Sequence, residues 1–194
     1  GWGSPASAVV AGDGEVVFCA LGRAGNVSAW ASHGHGGSCA TGLGGWSRSS
    51  PSLADIDGDP ELEVIIGSAV STLEAYNHDG SGVPGFPVSF SHPIFSSVSL
   101  GDLDGDYDLE MAFLCENDSL YVLEHDGSRR SGFPVPLESN AAGLAPSAAI
   151  VDFGGDGQME IVVAGVYNYH SSDILVVDNQ GNSMPGWPIH LDDS

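Results

Sequence analysis

Thirteen of the 26 carboxylates in this chain fall in three nine-residue windows, where they occupy alternate positions. The windows are Asp55-Ile-Asp57-Gly-Asp59-Pro-Glu61-Leu-Glu63, Asp102-Leu-Asp104-Gly-Asp106-Tyr-Asp108-Leu-Glu110 and Asp152-Phe-Gly154-Gly-Asp156-Gly-Gln158-Met-Glu160. Like charges packed so closely repel unless a cation or solvent compensates them. Calcium takes six to eight hard oxygen ligands at flexible geometry, and alternate carboxylates on a tight loop can converge on one ion. In the first window Asp55, Asp57 and Asp59 would offer side-chain oxygens, Glu61 its carbonyl and Glu63 a closing carboxylate, with Gly58 at the bend. In the second window Asp102, Asp104, Asp106, the Asp108 carbonyl and Glu110 take those roles. The third retains Asp152, Asp156, the Gln158 carbonyl and Glu160 but has Gly154 where a carboxylate is expected, so weaker binding is predicted. An EF-hand loop closes at position 12 and leads into helix, whereas here the closing Glu stands at position nine and opens an apolar, β-branched run. The plainer alternative is three solvated acidic turns.

Those loops need a scaffold that repeats, and the chain does. The windows recur at 47 and then 50 residues, and Gly85-Phe86-Pro87, Gly132-Phe133-Pro134 and Gly186-Trp187-Pro188 recur in phase with them, with echoes at Gly1-Trp2 and Gly45-Trp46. Between the markers lie short β-branched runs and turn dipeptides, predicting four short antiparallel strands per unit and little helix. The first unit keeps only a short Gly12-Asp13-Gly14-Glu15 turn. The expected fold is therefore all-β: propeller-type blades of four antiparallel strands in about four repeats, forming a partial or open propeller or part of a larger one. Residues 1–194 read as one repeat domain, with a degenerate blade over 1–45, calcium-loop blades over 46–85 and 86–132, and a partial-loop blade over 133–194.

These residues resemble the FG-GAP or VCBS-type repeats of integrin alpha-subunit propellers and bacterial secreted proteins. The resemblance is good over residues 50–191 and poor before them. It implies calcium between the first two strands of a blade, and a role in adhesion or ligand binding. Such propellers often close with seven blades, whereas four units are visible here.

A formal charge of −22, with four arginines and no lysine, opposes nucleic acid or anionic membrane as a partner. No apolar run reaches the length of a membrane span, and Gly1 in place of Met suggests a processed or truncated start; the resemblance implies a secreted or cell-surface protein. Cys19 and Cys39 could close one loop, while Cys115 lies in an apolar stretch and is expected to be a buried thiol. Asn26 and Asn117 head glycosylation-type tripeptides. His33, His35 and Cys39 lack an evident fourth ligand for a transition metal. A four-residue insertion in the last unit offers Tyr167, Asn168, Tyr169 and His170 for protein or glycan contact, and Trp2, Trp46, Phe86, Phe133 and Trp187 recur as expected inter-blade core. No nucleophile or phosphate-loop pattern points to an enzyme. Three functions follow in order: a calcium-stabilised binding or adhesion module with a protein or glycan ligand; a structural repeat associating head-to-tail into a homo-oligomer, ring or filament; or a non-catalytic propeller part of a polysaccharide-acting enzyme.

Overall fold

The computed structural model describes residues 6–10, 16–21, 26–31, 41–42, 45–59, 61–137, 147–167 and 171–192, with side chains over 45–59, 61–137, 147–164 and 173–191. Among them are four four-stranded antiparallel sheets and no helix. Each sheet is a meander whose strands pair in chain order. The first holds β1 (Ala6–Val10), β2 (Val16–Leu21), β3 (Asn26–Ala31) and β4 (Thr41–Gly42). The second holds β5 (Ser52–Ala54), β6 (Glu63–Gly67), β7 (Thr72–Tyr76) and β8 (Val88–Ser89). The third holds β9 (Ser99–Gly101), β10 (Glu110–Cys115), β11 (Ser119–Leu123) and β12 (Val135–Pro136). The fourth holds β13 (Ala148–Val151), β14 (Glu160–Tyr167), β15 (Ser171–Val177) and β16 (Ile189–Asp192). The expected all-β blades of four strands are what the chain forms.

The chain divides into two compact units, Gly1–Val98 and Ser99–Ser194. In the first, Ile65, Ile66 and Leu73 of the second sheet are fully buried, and Ile94 joins them from the segment after β8. Ser52 ties β5 to that segment by donating its hydroxyl to the Val98 carbonyl at 2.6 Å.

In the second unit, two sheets share one core. Alternate residues of a strand face opposite sides of its sheet. Ala112 and Leu114 of β10, with Leu120 and Val122 of β11, point one way, and Ala148, Ile161, Val163 and Val177 of the fourth sheet meet them in a single apolar cluster. The intervening residues Met111, Phe113, Tyr121 and Leu123 are buried on the opposite face of the third sheet, where the rings of Phe113 and Tyr121 stack 6.0 Å apart. Both faces of that sheet are thus dry. The face of the fourth sheet turned from that core is only partly covered: Val176 is buried there, while several other apolar side chains are not. Val151, Ile189 and Leu191 are 41–47% exposed, and Phe153 is 52% exposed with its edge against Trp187.

A Gly-Phe-Pro or Gly-Trp-Pro element precedes β8, β12 and β16, and its proline gives the ladder no N–H. In all three the glycine has positive φ (92°, 92° and 90°) and the X–Pro bond is cis. Cys115 is a free, buried thiol, as its apolar setting predicts, and burial pushes its pKa up to about 12, leaving it protonated and inert.

Two expectations change. The insertion in the last unit is not simply a loop: it lengthens the β14–β15 hairpin, whose ladder runs out to Tyr167 opposite Ser171. Nor does Trp46 sit in a core. It is 49% exposed, stacked 5.3 Å from Phe95 with the Arg48 guanidinium 5.2 Å from each ring, because a broad amphipathic indole can be shielded by one neighbour and a cation. Phe133, by contrast, packs on the core of the second unit.

Candidate metal centre

Each acidic window spans the turn between the first and second strands of its sheet. The first Asp organises the bend. Asp55 Oδ1 accepts from the Gly58 N–H at 2.8 Å, Asp102 Oδ1 from Gly105 at 2.6 Å, and Asp152 Oδ1 from Gly155 at 2.6 Å. These glycines have φ of 81°, 83° and 70°, a region side chains disfavour. The loop wraps back on its own first carboxylate, and in the first two windows the third-position aspartate comes close beside it.

The closing glutamates stand at the root of the loop on the second strand, and they are almost wholly buried: Glu63 0%, Glu110 1% and Glu160 3% exposed. One carboxylate oxygen in each is satisfied. Glu63 Oε2 accepts from the Ile56 N–H at 2.9 Å, and Glu110 Oε2 from the Leu103 N–H at 2.6 Å. Glu160 Oε2 takes two donors, Phe153 at 2.8 Å and Gly154 at 3.3 Å. The second oxygen distinguishes the loops. Oε1 of Glu63 and Oε1 of Glu110 are buried without a hydrogen-bond partner, a state that costs about 1–3 kcal/mol or more for a charged group. Burial, with the neighbouring aspartates adding to it, raises the pKa of Glu63 to about 7; burial likewise raises that of Glu110 to about 7.

Each of these glutamates meets two aspartates. Asp55, Asp57 and Glu63 bring one oxygen apiece within 4.8 Å of one another, and so do Asp102, Asp104 and Glu110. Hard oxygens converging beside an unsatisfied carboxylate oxygen suit a hard divalent cation. The donor set therefore fits calcium, the group that the acidic windows imply. Positions five and seven are not in these groups. Asp59 Oδ1 accepts from the Glu61 N–H at 2.9 Å and Asp106 Oδ1 from the Asp108 N–H at 3.0 Å. The Glu61 carboxylate pairs with His78, and that of Asp108 lies 3.4 Å from His125, each histidine lying in the turn after the third strand of its sheet. With those side chains turned away, a carbonyl is what position seven has left to offer.

In the third window Asp152 also accepts from Asp156 at 3.1 Å and Gly157 at 3.0 Å, and Asp156 accepts from Gln158 at 3.0 Å. Among the described residues no three-carboxylate group forms there. Gly154 brings no carboxylate to the loop, and its N–H donates instead to Glu160 Oε2. Tyr167 contributes backbone to β14, but its side chain and Asn168, Tyr169 and His170 lie outside the described residues, as do His33, His35 and Cys39.

Isolated inspection of the windows misses Arg130. Its guanidinium, 11% exposed, donates to Asp104 at 3.1 Å and to both Glu124 oxygens at 3.2 and 3.1 Å, and its Nε donates to the Asn179 carbonyl at 3.1 Å. Asn179 in turn donates its side-chain amide to the Leu103 carbonyl at 3.1 Å. Thus the β15–β16 turn of the fourth sheet leans on the acidic loop of the third. The one trace in the sequence is an arginine in a chain with only four.

Four-stranded meanders with an acidic first turn are blades of the propeller type. Residues 102–163, which include two of the acidic windows, match the model of the FG-GAP-like repeat. No curated protein sequence matches the chain. Among solved structures, BBS1N in complex with ARL6DN is similar in crystals soaked with mercury (12% identity, TM-score 0.58, 89% of this chain and 52% of that one) and with lead (11%, 0.58, 87% and 48%). The V. cholerae biofilm matrix protein Bap1 aligns at 17% identity and a TM-score of 0.45 over 98% of this chain and 39% of its own. The chain spans about half the length of the BBS1N structures, and the likeness to them is one of fold.

Proposed function

We propose that this chain is a non-enzymatic, extracellular binding or adhesion module whose blades are clamped by calcium at the Asp55 and Asp102 loops, with a weaker site at Asp152. The observation that carries the metal reading is the pair of buried glutamates, each with one oxygen unpartnered and facing two aspartates. In the second sheet Asp55, Asp57 and Glu63 would hold the ion, with Asp59 and the Glu61 carbonyl completing the shell. In the third Asp102, Asp104 and Glu110 would do so, with Asp106 and the Asp108 carbonyl. Calcium supplies positive charge that offsets carboxylate repulsion and fixes the first turn of the blade. The adhesion reading rests on the FG-GAP-like repeat and on an acidic surface, for which proteins or glycans are better partners than nucleic acid.

A ligand that binds only the folded state stabilises it by mass action. At a calcium concentration about 100-fold above Kd, two sites add about 5 kcal/mol, or roughly 10–20 °C in melting temperature for a chain of this size. Calorimetric melts in calcium and in EDTA measure this, and superimposable melts would remove calcium from the account.

A second reading, head-to-tail association of copies, is favoured by the apolar side chains that the fourth sheet leaves exposed. Phe153 occupies the position of Ile56 and Leu103, which are 4% and 2% exposed, yet it is itself 52% exposed beside Val151, Ile189 and Leu191. Exposed apolar faces of this kind mark interaction surfaces. Light scattering at micromolar concentration is expected to show oligomers that Phe153→Asp disperses; a monomer of the unaltered chain would eliminate this reading.

A further inference from the structure

We infer that Arg130 is a built-in counter-cation that competes with calcium for Asp104, making the Asp102 loop a weaker calcium site than the Asp55 loop although both carry five acids at the same positions. This inference rests on the calcium reading given above.

The residue is out of place in its repeat. Its backbone N–H bonds to the Val122 carbonyl as that of Val83 does to Ala75 and that of Met184 to Val176, so the three residues occupy one position in three blades. Two blades place an apolar side chain there, and Val83 is 3% exposed. Only the third sends a guanidinium into its own acidic loop. Arg130 reaches Asp104, one of the three carboxylates that converge with the buried, unpartnered Oε1 of Glu110. Among the described residues no basic side chain lies within ion-pair distance of Asp57, the matching aspartate of the second sheet.

An ion held by Asp102, Asp104 and Glu110 would sit one carboxylate away from a largely desolvated guanidinium, where screening is weak. The guanidinium already neutralises part of the charge that attracts the ion, and it donates to an oxygen the ion needs. Its place is fixed from two further sides, by Glu124 and by the Asn179 carbonyl, so it cannot swing clear without breaking the link to the fourth sheet. Glu124 matters in sign: it spreads the positive charge away from the loop. Its loss would concentrate Arg130 on Asp104.

The test uses the full chain carrying Asp55→Asn and Asp152→Asn, so that the Asp102 loop alone titrates with calcium in a calorimeter. Arg130→Met, the residue of the fourth blade at this position, is expected to tighten calcium binding about tenfold or more, because one full charge is removed at short range. Arg130→Lys retains the charge and should stay within about threefold of the parent, and Glu124→Gln should weaken binding about threefold or more. Far-UV circular dichroism checks folding, and Glu124→Gln keeps the inference open to refutation if Arg130→Met fails to fold. Unchanged or weaker binding in Arg130→Met, or tighter binding in Glu124→Gln, overturns the inference. If the unaltered chain takes up no calcium at all, the underlying metal reading fails instead, which distinguishes the two.

Discussion

Gly132→Ala is expected to destabilise the chain by at least about 3 kcal/mol, and Gly186→Ala, at the same place in its repeat, by only about 1–2 kcal/mol. Both glycines have φ near +90°, so both alanine variants carry backbone strain. They differ in their surroundings. A Cβ on Gly132 would lie 2.0 Å from the Gln180 carbonyl oxygen, whereas one on Gly186 would meet nothing within 4 Å. The obstacle at Gly132 is backbone and cannot rotate aside. Gly181, whose own Cβ would lie 2.7 Å from the Gly132 carbonyl oxygen, shows that the two turns approach each other backbone to backbone. Alanine must therefore push the β15–β16 turn off the third sheet. Asn179 and its bond to Leu103 would move with it, loosening the acidic loop. Urea melts of the two variants separate clash from strain, and equal losses would mean that the close approach does not matter.

The second large effect changes sign with calcium. The folded state raises the pKa of Glu63 and Glu110 to about 7 from 4.5, so between those values it binds protons more tightly than the unfolded chain does. In EDTA, their contribution to stability is therefore fully present below pH 4.5 and is lost as pH rises through 7. Allowing for screening through the exposed aspartates around them, each contributes about 1–3 kcal/mol to that loss. Glu63→Gln and Glu110→Gln remove the titration and should flatten the profile; at pH 8 without calcium these variants should be at least as stable as the unaltered chain. An amide at Oε1 can also donate toward the aspartates. With saturating calcium the order reverses, because the ion needs the carboxylates. Melting temperatures across pH 4–8 with and without calcium test this, and glutamine variants less stable than the parent in EDTA at pH 8 would contradict it.

Much of the fold was legible because its determinants are local. Alternating acids, a glycine at the bend and a β-branched run such as Val64-Ile65-Ile66 mark the first turn and second strand wherever they occur. The first, third and ninth positions of two windows do converge, and the missing acid at Gly154 does leave its loop without a comparable group. What stayed hidden depends on partners distant in sequence. Arg130 reaches Asp104 across 26 positions, and Asn179 reaches Leu103 across 76. Read alone, the Asp55 and Asp102 windows are equivalent, since nothing within either reports a neighbouring guanidinium. The insertion before Ser171 was legible as extra length but not as extra ladder, because Val166, Tyr167, Ser171 and Ser172 suit a strand or a loop equally. Trp46 carries the spacing of a core aromatic, and spacing does not tell whether anything covers it.

On the proposed reading, the closing glutamates and their aspartates hold calcium. The most direct measurement is an equilibrium calcium titration of the unaltered chain beside the Glu63→Gln/Glu110→Gln double variant, with folding of both confirmed by circular dichroism. Uptake of at least two ions by the unaltered chain, with both sites lost in the double variant, is the result expected from two orphaned carboxylate oxygens in two acid clusters. No uptake by the unaltered chain, or the same uptake by both proteins, would contradict it.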